Sequence, residues 1–283
     1  MNRLAYMRVG SLAEARQALA LPGSIALAGG TTVTDLAKLD VLMPDRLVDI
    51  MGIPGLDGIA VEAGRLRIGA LARMADVARH GEVRRLAPAI AASLECAASA
   101  QIRNMATMAG NILQRTRCAY FRDPASYPAC NRRTPGSGCA AIGGVTHNHA
   151  ILGVTDACMA SYPGDLAIVL AALDAVVHTD ARDIAIGDLF AEPGSGTETI
   201  LAAGEIVTAV SVAADAGAAR SSYLKVRDRQ SYEFAAVSVA LAVDLTRDQP
   251  DIRVAVGGVA TRPWRLPAVE AALRAGPPSR ERL

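Results

Sequence analysis

The sequence predicts an α+β protein, and three observations carry the prediction. Short apolar runs that read as strands follow one another, at residues 46–50 and 66–70 and again at 222–226, 234–245 and 252–256. Segments with helical apolar spacing are interspersed among them without a regular strand–helix alternation. The composition shifts to small residues at 213–219, which divides the 283 residues into a segment 1–215 and a segment 216–283. No internal repeat is visible.

Taken in order, Ser11 and Glu14 have capping-box spacing and start a helix over residues 12 to about 20, which Pro22-Gly23 ends. Residues 24–27 read as a strand, Ala28-Gly29-Gly30-Thr31-Thr32 as a turn, and residues 33–39 as a helix. Adjacent glycines permit left-handed dihedrals and close backbone approach. The loop suits a phosphate cradle and equally an ordinary strand-to-helix turn, since it lacks both the dinucleotide glycine spacing and the lysine of the nucleotide-triphosphate loop. Residues 74–78 read as a short helix. Val83, Leu86, Ala87, Ile90, Ala91 and Leu94 predict one amphipathic helix over residues 83 to about 98, with Cys96 near its end as a packing residue.

Residues 101–111 read as a loop, whose amides and hydroxyls suit a polar ligand or a satisfied turn. Asp165 is placed as the N-cap of a helix over 166–173. Strands are predicted at 175–178, 184–186 and 205–212, a mobile Gly/Ser/Thr/Pro loop at 192–199, and a short helix at 268–274.

Composition excludes several classes. Lys plus Arg is 29 and Asp plus Glu is 28, a net charge of +1, so no basic face is indicated for nucleic acid or for an anionic membrane. The longest uncharged stretch, residues 134–155, is broken by Pro135 and several glycines and carries His147, Asn148 and His149, so no spanning helix and no membrane insertion are expected. Arg3 and Arg8 are not followed by an apolar run, so the chain is expected to carry no signal peptide of its own. A cytoplasmic location is expected, or a periplasmic one if a signal-bearing partner exports it. His80 and His178 are isolated, and no triad, paired-carboxylate or zinc-protease motif appears, which argues against a self-contained hydrolase.

Four of the five cysteines, Cys118, Cys130, Cys139 and Cys158, lie in one loop-rich window, separated by 11, 8 and 18 residues. The odd total and missing export signal argue against a disulfide framework. The spacing matches neither zinc knuckles nor the ferredoxin run. Zinc, an iron–sulfur cluster or unrelated free thiols all remain open on spacing alone, and the surrounding glycines and arginines favour a ligated site. His147 and His149, in the same window, read as exposed or interface residues.

Several stretches in this order resemble the FAD-binding medium subunits of molybdenum hydroxylases, the xanthine dehydrogenase and carbon monoxide dehydrogenase group. They are Leu27-Ala28-Gly29-Gly30-Thr31-Thr32, Gln101-Ile102-Arg103-Asn104 with Thr107 and Gly110-Asn111, and Leu113-Gln114-Arg115-Thr116-Arg117-Cys118 with Tyr120-Phe121. Further on come Cys130-Asn131-Arg132-Arg133, Pro135-Gly136-Ser137-Gly138-Cys139, Pro163-Gly164-Asp165, Lys225-Val226-Arg227-Asp228-Arg229 and Gly257-Gly258-Val259. Within that group the chain is most similar to the periplasmic aldehyde oxidoreductase subtype, whose FAD subunit carries an extra [4Fe–4S] cluster.

The resemblance implies a PCMH-type FAD-binding domain of two α+β subdomains over residues 1–215, interrupted by a [4Fe–4S] insertion at about 113–162. A carbon monoxide dehydrogenase flavoprotein-type C-terminal α+β domain would follow over 216–283, either shortened or without its final helices, since relatives usually continue beyond the position of Leu283. FAD would lie against Ile25, Ala26, Leu27, Ala28, Gly29, Gly30, Thr31, Thr32 and Val33, with Thr107, Gly110, Asn111, Asp165, Val207 and Lys225. Cys118, Cys130, Cys139 and Cys158 would ligate the cluster. Thr32 stands where many relatives carry Asp, Asn or Ser, and Ala109-Gly110-Asn111 replaces Gly-Gly-Asn. The implied activity is that of an electron-transfer oxidoreductase subunit, an aldehyde or xanthine dehydrogenase type, in a heterotrimer. A large subunit would hold the molybdenum cofactor, a small subunit the [2Fe–2S] clusters, and FAD would pass electrons to an external acceptor. A stand-alone flavin oxidoreductase and a non-enzymatic four-cysteine zinc protein are the alternative readings.

Overall fold

The computed structural model describes residues 4–276, so the outer ends of the two predicted segments, residues 1–3 and 277–283, lie outside the described residues. Three sheets frame the protein. The first is built from β1 (Ala5–Arg8), α1 (Leu12–Leu19), β2 (Ser24–Leu27), α2 (Val33–Lys38) and β3 (Arg46–Asp49). β3 is central and pairs in parallel with both β1 and β2. Parallel neighbours need crossovers, which here are helical. The Ser11 hydroxyl caps α1 by accepting from Glu14 N at 3.2 Å, while the Glu14 carboxylate accepts from Gly10 N at 2.9 Å, one residue before the cap. Val9, Ala15, Val48 and Ile53 form a small core beneath this unit.

The second sheet is antiparallel, in the order β4 (Ile59–Glu62), β5 (Arg65–Gly69), β8 (Val207–Ala213), β6 (Val176–Thr179), β7 (Asp183–Ala185). Between β5 and β6 the chain forms α3 (Met74–Arg79), α4 (Gly81–Leu86), α5 (Pro88–Cys96), α6 (Ala100–Met105), α7 (Met108–Ile112), α8 (Ala119–Arg122) and α9 (Asp165–Ala172). After β8 and the short α10 (Ala216–Ala219), a third antiparallel sheet runs β12 (Trp264–Arg265), β11 (Asp251–Gly257), β10 (Val237–Asp244), β9 (Ser221–Val226), and α11 (Pro267–Arg274) packs on β11. Among the described residues no helix is long and apolar enough to cross a membrane.

All of α9 is buried, against α5, β10 and β11. The sequence of β10 permits this close approach. Its buried positions alternate with the pleat and are small where they meet the helix, Ser238, Ala240 and Ala242. Gly257 serves the same purpose, since a Cβ there would stand 2.5 Å from Ile168. The helix is thereby seated with its first residue, Asp165, beside β9.

Four expectations are corrected. The helix expected over 83–98 is two helices, because Pro88 has no N–H to continue the ladder and holds Ala87 out of the helical region at φ −151°, ψ 65°. The loop expected over 101–111 is α6 and α7, capped by the Ser99 and Thr107 hydroxyls accepting from Ile102 N and Gly110 N. Helices of five or six residues carry too few turns to leave a periodic signature. Asp165 is the first helical residue rather than the cap, and Gly164 occupies the cap position with no side-chain bond. β1, β4, β12, α8 and α10 have no counterpart among the expected elements. β1 is exposed at all four positions and β12 has two residues, so neither shows alternation.

Near the β6–β7 turn, the Glu205 side chain is 4% exposed and accepts from Arg182 Nε at 3.0 Å, Thr179 Oγ1 at 2.9 Å and Ala202 N at 2.8 Å. The Arg182 guanidinium, first, and these neutral donors hold its carboxyl down at about 2. A depressed carboxyl contributes stability above its unfolded value that is lost as pH falls towards the folded one. Acidification from pH 5 to pH 3 is therefore expected to lower the urea midpoint of the wild type more than that of Glu205→Gln. Equal losses in urea titrations of the two proteins would remove Glu205 as the cause.

Candidate functional site: a cofactor cavity beside a four-thiol pocket

A cavity of about 580 Å³ opens between the first sheet, the helical layer and the third sheet. Its size is ordinary for a bound cofactor or substrate. Met74, Ala97, Ile102 and Ala106 give it an apolar wall, and Thr31, Thr32, Asn111 and Gln114 contribute polar groups.

The loop after β2 reaches the cavity through Thr31 and Thr32. Ile25, Ala26 and Leu27 lie within β2, paired with β3, and Val33 opens α2. The two glycines have different reasons. Gly29 passes so close to the end of α6 that a Cβ would stand 1.9 Å from the Met105 carbonyl oxygen. Gly30 has φ +73°, and its carbonyl accepts from Thr34 N at 3.0 Å and Thr34 Oγ1 at 2.7 Å, which turns the chain into α2.

Gly110 and Asn111 line the cavity. Thr107 does not reach it: it is 1% exposed and caps α7, so it acts by holding Gly110 and Asn111 in place. Val207 is also away from the cavity, buried in the main core at the start of β8 and paired with Thr179.

Asp165 and Lys225 meet across the cavity wall at 2.8 Å, with side chains 6% and 2% exposed. Tyr223 Oη donates to the same carboxylate at 2.5 Å. Ser221, Tyr223 and Lys225 alternate on one face of β9, which aims the last two at the start of α9. Lys225 and Arg227 also donate to the Cys96 carbonyl, at 3.2 and 3.0 Å, so Cys96 contributes its backbone. Burial pushes the Asp165 carboxyl above the ordinary carboxylate range, against the pull of the Lys225 ammonium.

The predicted set omitted Asp35, Gln114, Arg117, Arg122 and the 229–234 loop, all of which line the cavity. Asp35 Oδ2 accepts from Arg117 Nη1 at 3.0 Å and from Arg122 Nη2 at 2.6 Å. Burial and the neighbouring Arg122 charge pull Arg117 below the usual guanidinium range. Spacing held the one available signal: Asp35 follows Thr31 and Thr32 by four and three residues, hence shares their helix face. Three buried atoms of cavity-lining residues, Asn111 Oδ1, Arg117 Nε and Arg122 Nη1, have no hydrogen-bond partner among the described residues. Each such atom costs about 1–3 kcal/mol unless a ligand satisfies it.

Beside this cavity, Cys118, Cys130, Cys139 and Cys158 together line one small pocket. Among the described residues no group of three or more His, Cys, Asp or Glu side chains is set to hold a single metal ion. Polar bonds shape the segment, with a small apolar cluster of Leu36, Phe121 and Cys130. Asn131 ties three stretches of it together, donating to Ala157 O at 2.8 Å and accepting from Gly138 N at 2.9 Å. Arg133 donates to the carbonyls of Tyr120 and Phe121 at 2.7 and 2.6 Å. Arg132 donates to Cys158 Sγ at 3.1 Å and is itself paired with Glu198, which also takes Arg115 at 3.0 Å. His149 differs from expectation: it is half-buried, with Nε2 3.3 Å from Cys118 Sγ.

Residues 2–214 match the FAD binding domain in molybdopterin dehydrogenase, and residues 222–283 match the CO dehydrogenase flavoprotein C-terminal domain. The chain is 46% identical to the aldehyde oxidoreductase FAD-binding subunit PaoB of Escherichia coli (strain K12), covering 98% of this chain and 87% of that one. It is 29% identical to the glyceraldehyde dehydrogenase medium chain of Sulfolobus acidocaldarius, covering 94% and 79%. Its fold is similar to that in carbon monoxide dehydrogenase from Hydrogenophaga pseudoflava, with a TM-score of 0.75 at 22% identity over 99% of this chain and 83% of that one.

Proposed function

This chain belongs to the FAD-binding subunits of the molybdopterin dehydrogenases, and on that footing we propose that it is the electron-transfer subunit of a molybdenum-dependent aldehyde oxidoreductase. It would take electrons from [2Fe–2S] clusters in a small partner subunit and deliver them from FAD to an external acceptor, while a large partner holds the molybdenum cofactor. The 46% identity to an aldehyde oxidoreductase subunit supports the aldehyde class.

The observation that carries the reading is the cavity with its three unpartnered buried polar atoms on Asn111, Arg117 and Arg122. Bound FAD would supply the redox chemistry, and the protein would supply orientation and electrostatics. The Gly29-Gly30 turn seats the loop against the end of α6 and turns it into α2, Thr31 and Thr32 offer hydroxyls, and the Asp165–Lys225 pair fixes the opposite wall.

The second part of the proposal is a [4Fe–4S] cluster held by Cys118, Cys130, Cys139 and Cys158. The convergence of these four thiols on one pocket supports it, as does Arg132, whose N–H at Cys158 would offset thiolate charge. A four-iron cluster takes one thiolate on each iron, so it asks for ligands spread around a pocket rather than aimed at one point.

Flavin, iron and acid-labile sulfide analysis of the purified full chain tests both parts. FAD with iron and sulfide is expected. Zinc without flavin would overturn the proposal, and turnover of an aldehyde by this chain alone would favour a stand-alone oxidoreductase. Cys139→Ser is expected to lose the iron–sulfur absorbance and keep most of its FAD, because Cys139 lines the thiol pocket and not the cofactor cavity. Simultaneous loss of both chromophores in that variant would make the cluster a prerequisite of the flavin site.

A further inference from the structure

We propose that the four-cysteine segment is itself part of the cofactor site. Arg117 and Arg122, on either side of Cys118, bind the diphosphate of FAD, and Asp35 holds both guanidiniums in place. The inference rests on the FAD reading of the cavity and is independent of what the thiols hold.

Charge is the first argument. The cavity's charged lining consists of Asp35, Arg117, Arg122, Asp165, Lys225, Arg229 and Glu233. Lys225 is paired with Asp165, and Arg229 with Glu233 at 3.6 Å. Arg117 and Arg122 share the single carboxylate of Asp35. One positive charge is therefore left over, and it sits at this end of the cavity. Like charges held side by side in a partly buried position favour an anion between them.

Donor geometry is the second argument. Each guanidinium gives one N–H to the same oxygen, Asp35 Oδ2, and keeps a buried N–H with no partner among the described residues, at Arg117 Nε and Arg122 Nη1. Guanidinium forks match phosphate oxygens in just this way. Arg117 is further fixed by the Phe234 ring, 5.1 Å from its Cζ. Asp35 shares a face with Thr31 and Thr32, which places the two arginines beside the glycine loop rather than at the Asp165 end.

The arginines are also held by the cysteine segment. The Arg122 amide bonds to the Cys118 carbonyl at 3.1 Å, and the Cys118 amide to Thr116 Oγ1 at 3.2 Å. These bonds use backbone and hydroxyl groups, so the segment holds the two arginines without calling on the thiols.

The test titrates deflavinated full-length protein with FAD and, separately, with riboflavin, which has no phosphate. For Arg117→Met and Arg122→Met, the FAD dissociation constant is expected to rise about tenfold each, as for loss of a charge-assisted hydrogen bond. It should rise further in the double variant, with riboflavin affinity unchanged. Circular dichroism checks folding. If the Met variants do not fold, Arg117→Lys and Arg122→Lys keep the charge, lose the fork, and should show a smaller rise for FAD alone. Wild-type FAD affinity in the double variants would overturn the proposal, as would equal weakening of FAD and riboflavin, which would put the arginines on the ring. Wild-type protein that takes up neither compound would overturn the FAD reading itself.

Discussion

Replacing Lys225 with Met is expected to destabilise the protein by about 3–5 kcal/mol, the usual cost of leaving one partner of a buried ion pair uncompensated. Lys225 and Asp165 lie 2.8 Å apart and almost entirely out of solvent, so water cannot substitute for the lost ammonium. FAD content should fall with it, because the pair forms one wall of the cavity. The loss depends on pH. Burial already raises the Asp165 carboxyl, and without Lys225 the opposing pull is gone. A group whose folded value is raised contributes stability at low pH that is lost as pH climbs through that value. The Lys225→Met penalty should therefore be larger at pH 8 than at pH 5. The Asp165→Asn/Lys225→Met double variant should recover most of the stability, because no buried charge remains and Tyr223 can still donate to the amide oxygen. Urea titrations of the single and double variants at both pH values check this. A double variant no more stable than the single one, or a penalty that grows on acidification, would refute it.

Gly29→Ala is expected to lose most of the FAD and to lower stability by about 1–3 kcal/mol or more, as overpacking does. The atoms met by the new methyl group are backbone: the Met105 carbonyl oxygen at 1.9 Å, its carbon at 2.7 Å and Ala106 Cα at 3.1 Å. None can rotate away. Relief requires moving the loop from the end of α6, and Ala106 leads directly into Thr107, which caps the helix carrying Gly110 and Asn111. One methyl therefore disturbs two walls of the cavity. Gly30→Ala is the control. Its methyl meets only side-chain carbons at 3.5 and 3.7 Å, and its cost is the left-handed backbone alone, about 1–2 kcal/mol. FAD occupancy and thermal midpoints of the two variants should rank Gly29→Ala as the worse, and the reverse order would show that loop conformation outweighs the contact with α6.

Elements whose cause is local were legible in the sequence. The Ser11 cap, the stop at Pro22-Gly23, the turn into α2 and the alternating strands β9 and β10 follow from neighbouring residues. The failures have physical causes too. Pro88 divides a helix whose apolar spacing runs through it, because the missing N–H outweighs a continuous apolar stripe. Asp165 is suited to capping by type and position, yet its carboxylate turns to Lys225, sixty residues away, since a buried charge gains more from an opposite charge than from a helix end. Thr107 and Val207 show how placement escapes a local reading: their side chains face the helix cap and the core.

The sequence alone determined which chemistry this chain could carry: a glycine turn open to close approach, four soft ligands in one segment, and no acid–base constellation of its own. Only the tertiary structure decided which of those groups meet. It brought four thiols to one pocket and carried Arg117 and Arg122 across 82 and 87 residues of chain to Asp35. Caps and turns are set by residues within a few positions of one another. Ion pairs and cavity walls form where packed layers bring distant segments together, and no local pattern in the sequence encodes that meeting.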